Sequence, residues 1–227
     1  MRIHSSYLVH WTGRDIEPEP ESAERQKLYL KRLIDYYTNG LFARRTEEDV
    51  VRGLKIKDVV RLCFTEIKLS QVKEHSDRYG RLGIGFDRNY LMDKGCRPVI
   101  YIPFDSKVGS RLLEDSISRV YQGSEANTEV HKAAEWIMAH VKRMSKGSED
   151  YYEEMEWRLV HDETSSSHFT KSAVAGVYRL VFTPMDARLV IFPDEATKRL
   201  SLQSGEMELY FRQHLPVLAT LQDCSNF

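Results

Sequence analysis

Three glutamates, one histidine and two alternating glycines are the residues of this 227-residue chain whose types and spacing could do chemistry. His10 lies near the end of the apolar run YLVHWT, where an imidazole can hydrogen-bond a sugar hydroxyl while the adjacent Trp11 indole stacks on a planar ring. Glu66 falls in the run LCFTEI, and Glu154 and Glu156 in EMEWRLV. Carboxylates on two strands that meet across a cleft can hold a substrate hydroxyl or stabilise positive charge as it develops. The structural alternatives are a core histidine at His10 and an ion pair of a glutamate with Arg158 or Arg97. Gly83 and Gly85, in LGIGF, fall on one face of a strand and leave room there for a ligand or for a packed neighbour.

Other chemistries lack their residues. GIGF does not continue into the spacing of a phosphate-cradling loop, and no nucleophile elbow occurs. His131 and His140 stand nine apart and, with Glu135, lack the pairing of a helical zinc site, so no metal is expected. Cys63, Cys96 and Cys224 match no zinc or redox spacing and read as reduced thiols of a cytoplasmic protein.

Composition narrows the class further. With 41% hydrophobic and 30% charged residues the chain has no apolar run near the roughly 20 residues of a membrane span, so no membrane partner is expected. Its first residues, MRIHSSYLVHW, lack the apolar segment and cleavage site of a secretory signal. A formal net charge of −1 excludes a chain-wide field for nucleic acid and leaves only local basic patches, Arg44-Arg45 or Lys142-Arg143 with Lys146. The length suits one α+β domain over residues 1–227.

The elements that must position the candidate residues cluster in the stretch 61–104. Runs 62–67, 82–86 and 98–104 are short, apolar and rich in β-branched or aromatic residues, which predicts strands. Segments 70–79 and 87–94 open at helix-capping residues and close at Gly80 and Gly95. Further strands are expected over 7–12, 154–160, 177–182 and 188–192 and at PVLATL, and helices over 22–42, 108–121, 128–144 and 194–212. Thr46 to Asp49 reads as a cap and acidic first turn of a short helix or turn, and Asn127 as the cap of the helix that follows it. Strands and helices that mix without regular alternation indicate α+β, with a bent mixed sheet of about six to eight strands.

The segments YLVHWTGRD, CFTEIKLSQVKEHSDRYGRLGIGFDRNYLMDKGCRPVIYI, EEMEWRLV and PVLATLQDC together resemble the AbiGi-type family of abortive phage-infection proteins. That resemblance covers most of the chain. It implies the antitoxin side of a defence pair, and so a protein partner encoded nearby rather than a reaction. A more distant similarity is to ADP-ribosyltransferases, which share an early strand with His, a middle strand with Tyr and a late strand with Glu. It implies an NAD site in which His10 binds the ribose, Tyr101 or Tyr90 lies near the nicotinamide, and Glu156 or Glu154 positions the acceptor, a protein or nucleic acid. Trp11, Glu66, Gly83 and Gly85 would complete the cleft.

Overall fold

The computed structural model describes residues 5–16, 22–51, 54–66, 71–102, 109–126, 128–143, 155–161 and 168–225. β1 (Tyr7–Thr12) leads to α1 (Ala23–Asn39), a helix capped by Ser22, whose side chain accepts from the Arg25 N–H. α1 stops at Gly40, at φ 90°, where a Cβ would run into the Leu180 carbonyl, so only glycine fits. A long hairpin follows, β2 (Leu41–Val51) against β3 (Leu54–Thr65). The acidic run expected to start a helix at Thr46 is therefore strand, because pairing with β3 satisfies the backbone that a local cap would have served.

The central stretch continues through α2 (Val72–Tyr79), β4 (Leu82–Asp87), α3 (Arg88–Asp93), β5 (Arg97–Pro98) and β6 (Ile100–Ile102). A helical hairpin, α4 (Gly109–Gly123) and α5 (Glu129–Ala139), precedes β7 (Val141–Arg143). Thr128 caps α5, accepting from the His131 N–H; Asn127 lies outside the described residues. The helix expected to run on to residue 144 ends instead at His140, and β7 pairs in parallel with β6. The remainder comprises β8 (Glu156–Val160), β9 (Phe169–Lys171), β10 (Val177–Leu180), β11 (Ala187–Phe192), α6 (Glu195–Gln203), α7 (Gly205–His214), β12 (Val217–Thr220) and α8 (Leu221–Cys224). Ser204 divides the helix expected over 194–212 into α6 and α7.

Ten strands form one mixed sheet in the order β12-β11-β4-β1-β3-β2-β10-β9, with β8 on β3 and β5 on β8; β6 and β7 stand apart. All its pairings are antiparallel except β11 with β12. This is an α+β fold, as expected, with more strands than the sequence patterns counted.

Strand alternation sorts the side chains onto two faces. Leu8, Leu62, Phe64, Ile84, Phe86, Leu159 and Val190 point one way, into the main core that Tyr29, Leu33, Tyr36 and Tyr37 of α1 and Met207 and Phe211 of α7 complete. On the opposite face lie two smaller clusters. Val9, Trp11, Leu189 and Ile191 pack with Val72 of α2 and Cys224 of α8, while Ile102, Ile117, Met138, Ala139 and Val141 pack with Val59 and Val160. Gly83 and Gly85 belong to the first of these clusters: a Cβ on Gly83 would lie 2.9 Å from Trp11 Cζ3 and 3.0 Å from Val9 Cγ1, and one on Gly85 2.9 Å from Leu189 Cβ. The space the two glycines open is thus filled by side chains of neighbouring strands. Gly83→Ala should consequently destabilise the fold by about 1–3 kcal/mol through overpacking against Trp11. Urea denaturation followed by tryptophan fluorescence checks this, and an unchanged midpoint would show that the indole can yield.

Candidate functional site

Between the two smaller clusters the sheet carries a polar floor centred on Glu156, the first residue of β8. Register places it: Glu156 is opposite Thr65 and Arg158 opposite Cys63, so these four residues share a face. Glu156 Oε1 accepts from Arg158 Nε at 2.8 Å and Oε2 from Lys142 Nζ at 3.0 Å. Arg158, 1% exposed, sends Nη1 to the carbonyl oxygens of Ala139 at 2.8 Å and Val141 at 3.4 Å. The Glu156 N–H donates to the Tyr101 hydroxyl at 3.1 Å, and its carbonyl accepts from the Val99 N–H at 2.9 Å. Glu156 and Arg158 together therefore join β8 to β6, β7 and the end of α5.

The electrostatics follow from these contacts. Burial pushes the Glu156 carboxyl up, but the charges of Arg158 and Lys142 outweigh it and hold the group at about 2, so it is a permanent anion at neutral pH. The crowding around the Cys63 thiol, and then the negative charge of Glu156, push that thiol up to about 12. Cys63 keeps an exposed surface, yet as a neutral thiol hydrogen-bonded to a carboxylate it is a poor nucleophile.

His10 lies on the other face. Its Nδ1 is 2.9 Å from the Cys63 carbonyl oxygen, which can only accept, so Nδ1 carries the proton. The ring packs against Phe64 and Tyr36, at centroid distances of 5.8 and 6.2 Å. Burial and the nearby Arg32 charge lower its pKa against the opposing carbonyl bond, leaving a neutral imidazole. Alongside, the Thr12 hydroxyl lies 2.9 Å from the Tyr36 hydroxyl and accepts from Arg32 Nη1 at 3.1 Å, while Arg32 grips Asp15.

These positions separate the residues expected to share a cleft. Val9, not His10, registers with Thr65, and Thr65 registers with Glu156, so the His10 ring and the Glu156 carboxylate occupy opposite faces of the sheet. Trp11 points away from its neighbour His10 for the same reason, and its ring covers Gly83. Glu66 shares the His10 face, but it is 3% exposed and occupied: Oε1 accepts from Arg88 Nη1 and Oε2 from Trp157 Nε1, both at 3.0 Å. Tyr101 stands with Glu156, and Tyr90 stacks on Phe86 in the main core. Glu154 lies outside the described residues. A single NAD cleft lined by His10, Trp11, Glu66, Gly83, Gly85, Tyr101 and Glu156 is thus not formed by these side chains. Of the two expected arginine partners, Arg158 takes Glu156, while Arg97 donates to the carbonyl oxygens of Met92 and Cys96. Among the described residues no group of three or more His, Cys, Asp or Glu could hold a metal ion.

The sequence reading missed Lys142, which it placed in a helix, and the pairing of Glu66 with Arg88. Only the alternation of Glu156 and Arg158 in EMEWRLV was visible as a local signal.

A mixed-sheet α+β protein whose described candidate carboxylates are engaged by its own cations and indole is the class that fold and site define. The family model described as "Putative abortive phage resistance protein AbiGi, antitoxin" matches residues 42–192, more than half of the chain, and the chain belongs to this family. The match contains Cys63, Glu66, Tyr101, Lys142, Glu156 and Arg158; His10 and Trp11 precede it. No curated protein and no solved structure matches the chain at a significant level, and nothing in these comparisons supports the similarity to ADP-ribosyltransferases. Among the described residues no helix is long and apolar enough to cross a membrane.

Glu156→Gln should cost about 3–5 kcal/mol, because it leaves Arg158 buried without its anion. Lys142→Met should cost less, about 1–3 kcal/mol, since Glu156 keeps Arg158. Chemical denaturation of the two variants tests the ranking. The pH dependence has a defined sign. A carboxyl at about 2 in the fold and 4.5 ordinarily contributes stability that is complete above pH 4.5 and is lost as pH falls towards 2. Histidines His10 and His140, both lowered by burial first, refuse a proton that the unfolded chain accepts, so stability should already decline as pH drops below 6.5. Melting temperatures should hold between pH 8 and about 6.5 and fall from there to pH 3, and Glu156→Gln should flatten the acidic limb only.

Proposed function

We propose that this chain is the neutralising component of a phage-defence pair and acts by binding a protein toxin encoded beside it. The observation that carries the reading is the family match over residues 42–192, described as an abortive phage resistance antitoxin. The site chemistry agrees with it. Glu156 is spent on holding β6, β7 and α5 to the sheet, and Glu66 on holding α3 and β8, so both act as structural anions. A binding protein needs a stable surface rather than a poised acid or base, and a carboxyl held at about 2 cannot deliver a proton near neutral pH.

Co-expression with the neighbouring gene product tests this. The chain should relieve the growth arrest that the product causes and co-purify with it at fixed stoichiometry, whereas relief without a stable complex, or a complex without relief, would overturn the reading. Glu156→Gln, assayed below its melting temperature, should lower the yield of complex only in proportion to the folded fraction.

A further inference from the structure

α4, α5, β6 and β7 form a module with a narrow seat on the rest of the molecule. β6 and β7 pair with each other, outside the ten-stranded sheet. The apolar seat is the small cluster of Ile102, Ile117, Met138, Ala139 and Val141 against Val59 and Val160, whereas the main core ties α1 and α7 to strands from β1 to β11. The polar attachments converge on two residues of β8: Arg158 Nη1 holds the carbonyl oxygens of Ala139 and Val141, and Glu156 holds Lys142 and, through its N–H, Tyr101. If the module lifts away, Glu156 and Arg158 stay together, because both belong to β8 and bond each other at 2.8 Å, so opening orphans no buried charge. A unit so attached opens at a lower free energy than the core.

His140 stands at the joint between α5 and β7, 3% exposed. Its N–H donates to the Ile137 carbonyl, its own carbonyl accepts from the Ile100 N–H at 2.7 Å, and its ring packs on Trp136 at 4.3 Å. Nδ1 lies 2.9 Å from the Trp136 carbonyl oxygen, which only accepts, so Nδ1 carries the proton and a second proton must go to Nε2. Nε2 is buried and has no hydrogen-bond partner among the described residues. Of the charged groups on the surrounding elements, Glu114 on α4, Glu135 on α5, Lys142 on β7, Glu156 and Arg158 on β8 and Arg97 on β5, the two that bear on the ring are Arg158 and Arg97, both cations. Burial first, and then these two charges, keep the seated ring neutral against the pull of the Trp136 and Arg158 backbone.

We propose that α4, α5, β6 and β7 open from the sheet as one unit, and that His140 is the latch whose protonation at Nε2 favours the open form. In the seated form Nε2 meets no water and no acceptor, while in the open form the ring is solvated and takes a proton at its ordinary pKa. The closed form is therefore fully favoured above pH 6.5 and loses ground as pH falls below it. The inference is independent of toxin binding.

Native-state hydrogen exchange on the full-length chain, corrected for the intrinsic pH dependence of amide exchange, tests it. Amides of α4 and α5 should share one opening that is easier than that of β1, β4 and β11. Between pH 7.5 and pH 5.5 its population should rise by at most about tenfold, the limit for one group of ordinary pKa 6.5 that protonates only when open. His140→Asn, which keeps an N–H for the Trp136 carbonyl, should remove that rise. Hairpin amides that exchange only in step with the core would overturn the proposal, as would a hairpin opening indifferent to pH or a rise that survives His140→Asn. Should the variant not fold, an NMR titration of the wild-type histidine rings decides: a His140 ring that titrates at or above 6.5 overturns the latch.

Discussion

The ion pair of Glu156 with Arg158 is the contact on which the second face of the sheet depends. The main core needs no such device, because tyrosines of α1 and aromatics of α7 interlock with strand side chains over a broad apolar area. The opposite face has only two small apolar clusters with polar residues between them. There, a carboxylate that accepts from two cations while its neighbour Arg158 satisfies two carbonyls substitutes for missing apolar surface. Two unpaired charges in that position would each be costly; paired, with Lys142 and two carbonyl oxygens as further partners, they fix how β6, β7 and α5 seat on the sheet.

A second constraint is parity. Successive strand residues face opposite sides, so a shift of one position in register moves a side chain through the whole thickness of the sheet. The pairing of Val9 with Thr65 puts His10 with Phe64 and Tyr36, and the pairing of Thr65 with Glu156 puts the carboxylate on the far side. The separation of His10 from Glu156 is therefore a property of the ladder rather than of rotamers, and no side-chain adjustment reverses it.

The two faces also divide the labour within the chain. The family match begins in β2 and ends with β11, taking in the ion-paired floor and the helical hairpin above it, while β1 and most of the covering helices of the main core lie outside it. The matched range thus holds strands of the main core as well as the ion-paired floor and the helical hairpin.

Much of this fold was legible in the residues. The apolar runs YLVHWT, LGIGF and ARLVIF became β1, β4 and β11, since short β-branched runs between glycines and polar breaks have few other ways to bury themselves. Ser22, Asp87 and Gly40 set helix ends through contacts within one turn. The alternation in EMEWRLV correctly separated Glu156 and Arg158 from Trp157 and Leu159. What the sequence could not decide was everything that depends on register between distant strands. Thr46 to Val51 looked like a helix start until β3 paired with it, and Val141 to Arg143 like helix until β6 did. Glycines that could have admitted a ligand were filled by Trp11 and Leu189, residues on neighbouring strands. The helix expected over 108–121 is there as α4, but its rotation, with Glu114 inward and Leu112 and Leu113 outward, came from packing of Ile117 with Met138 and Ala139. Local chemistry determined which residues could act; the long-range ladder decided which of them could meet.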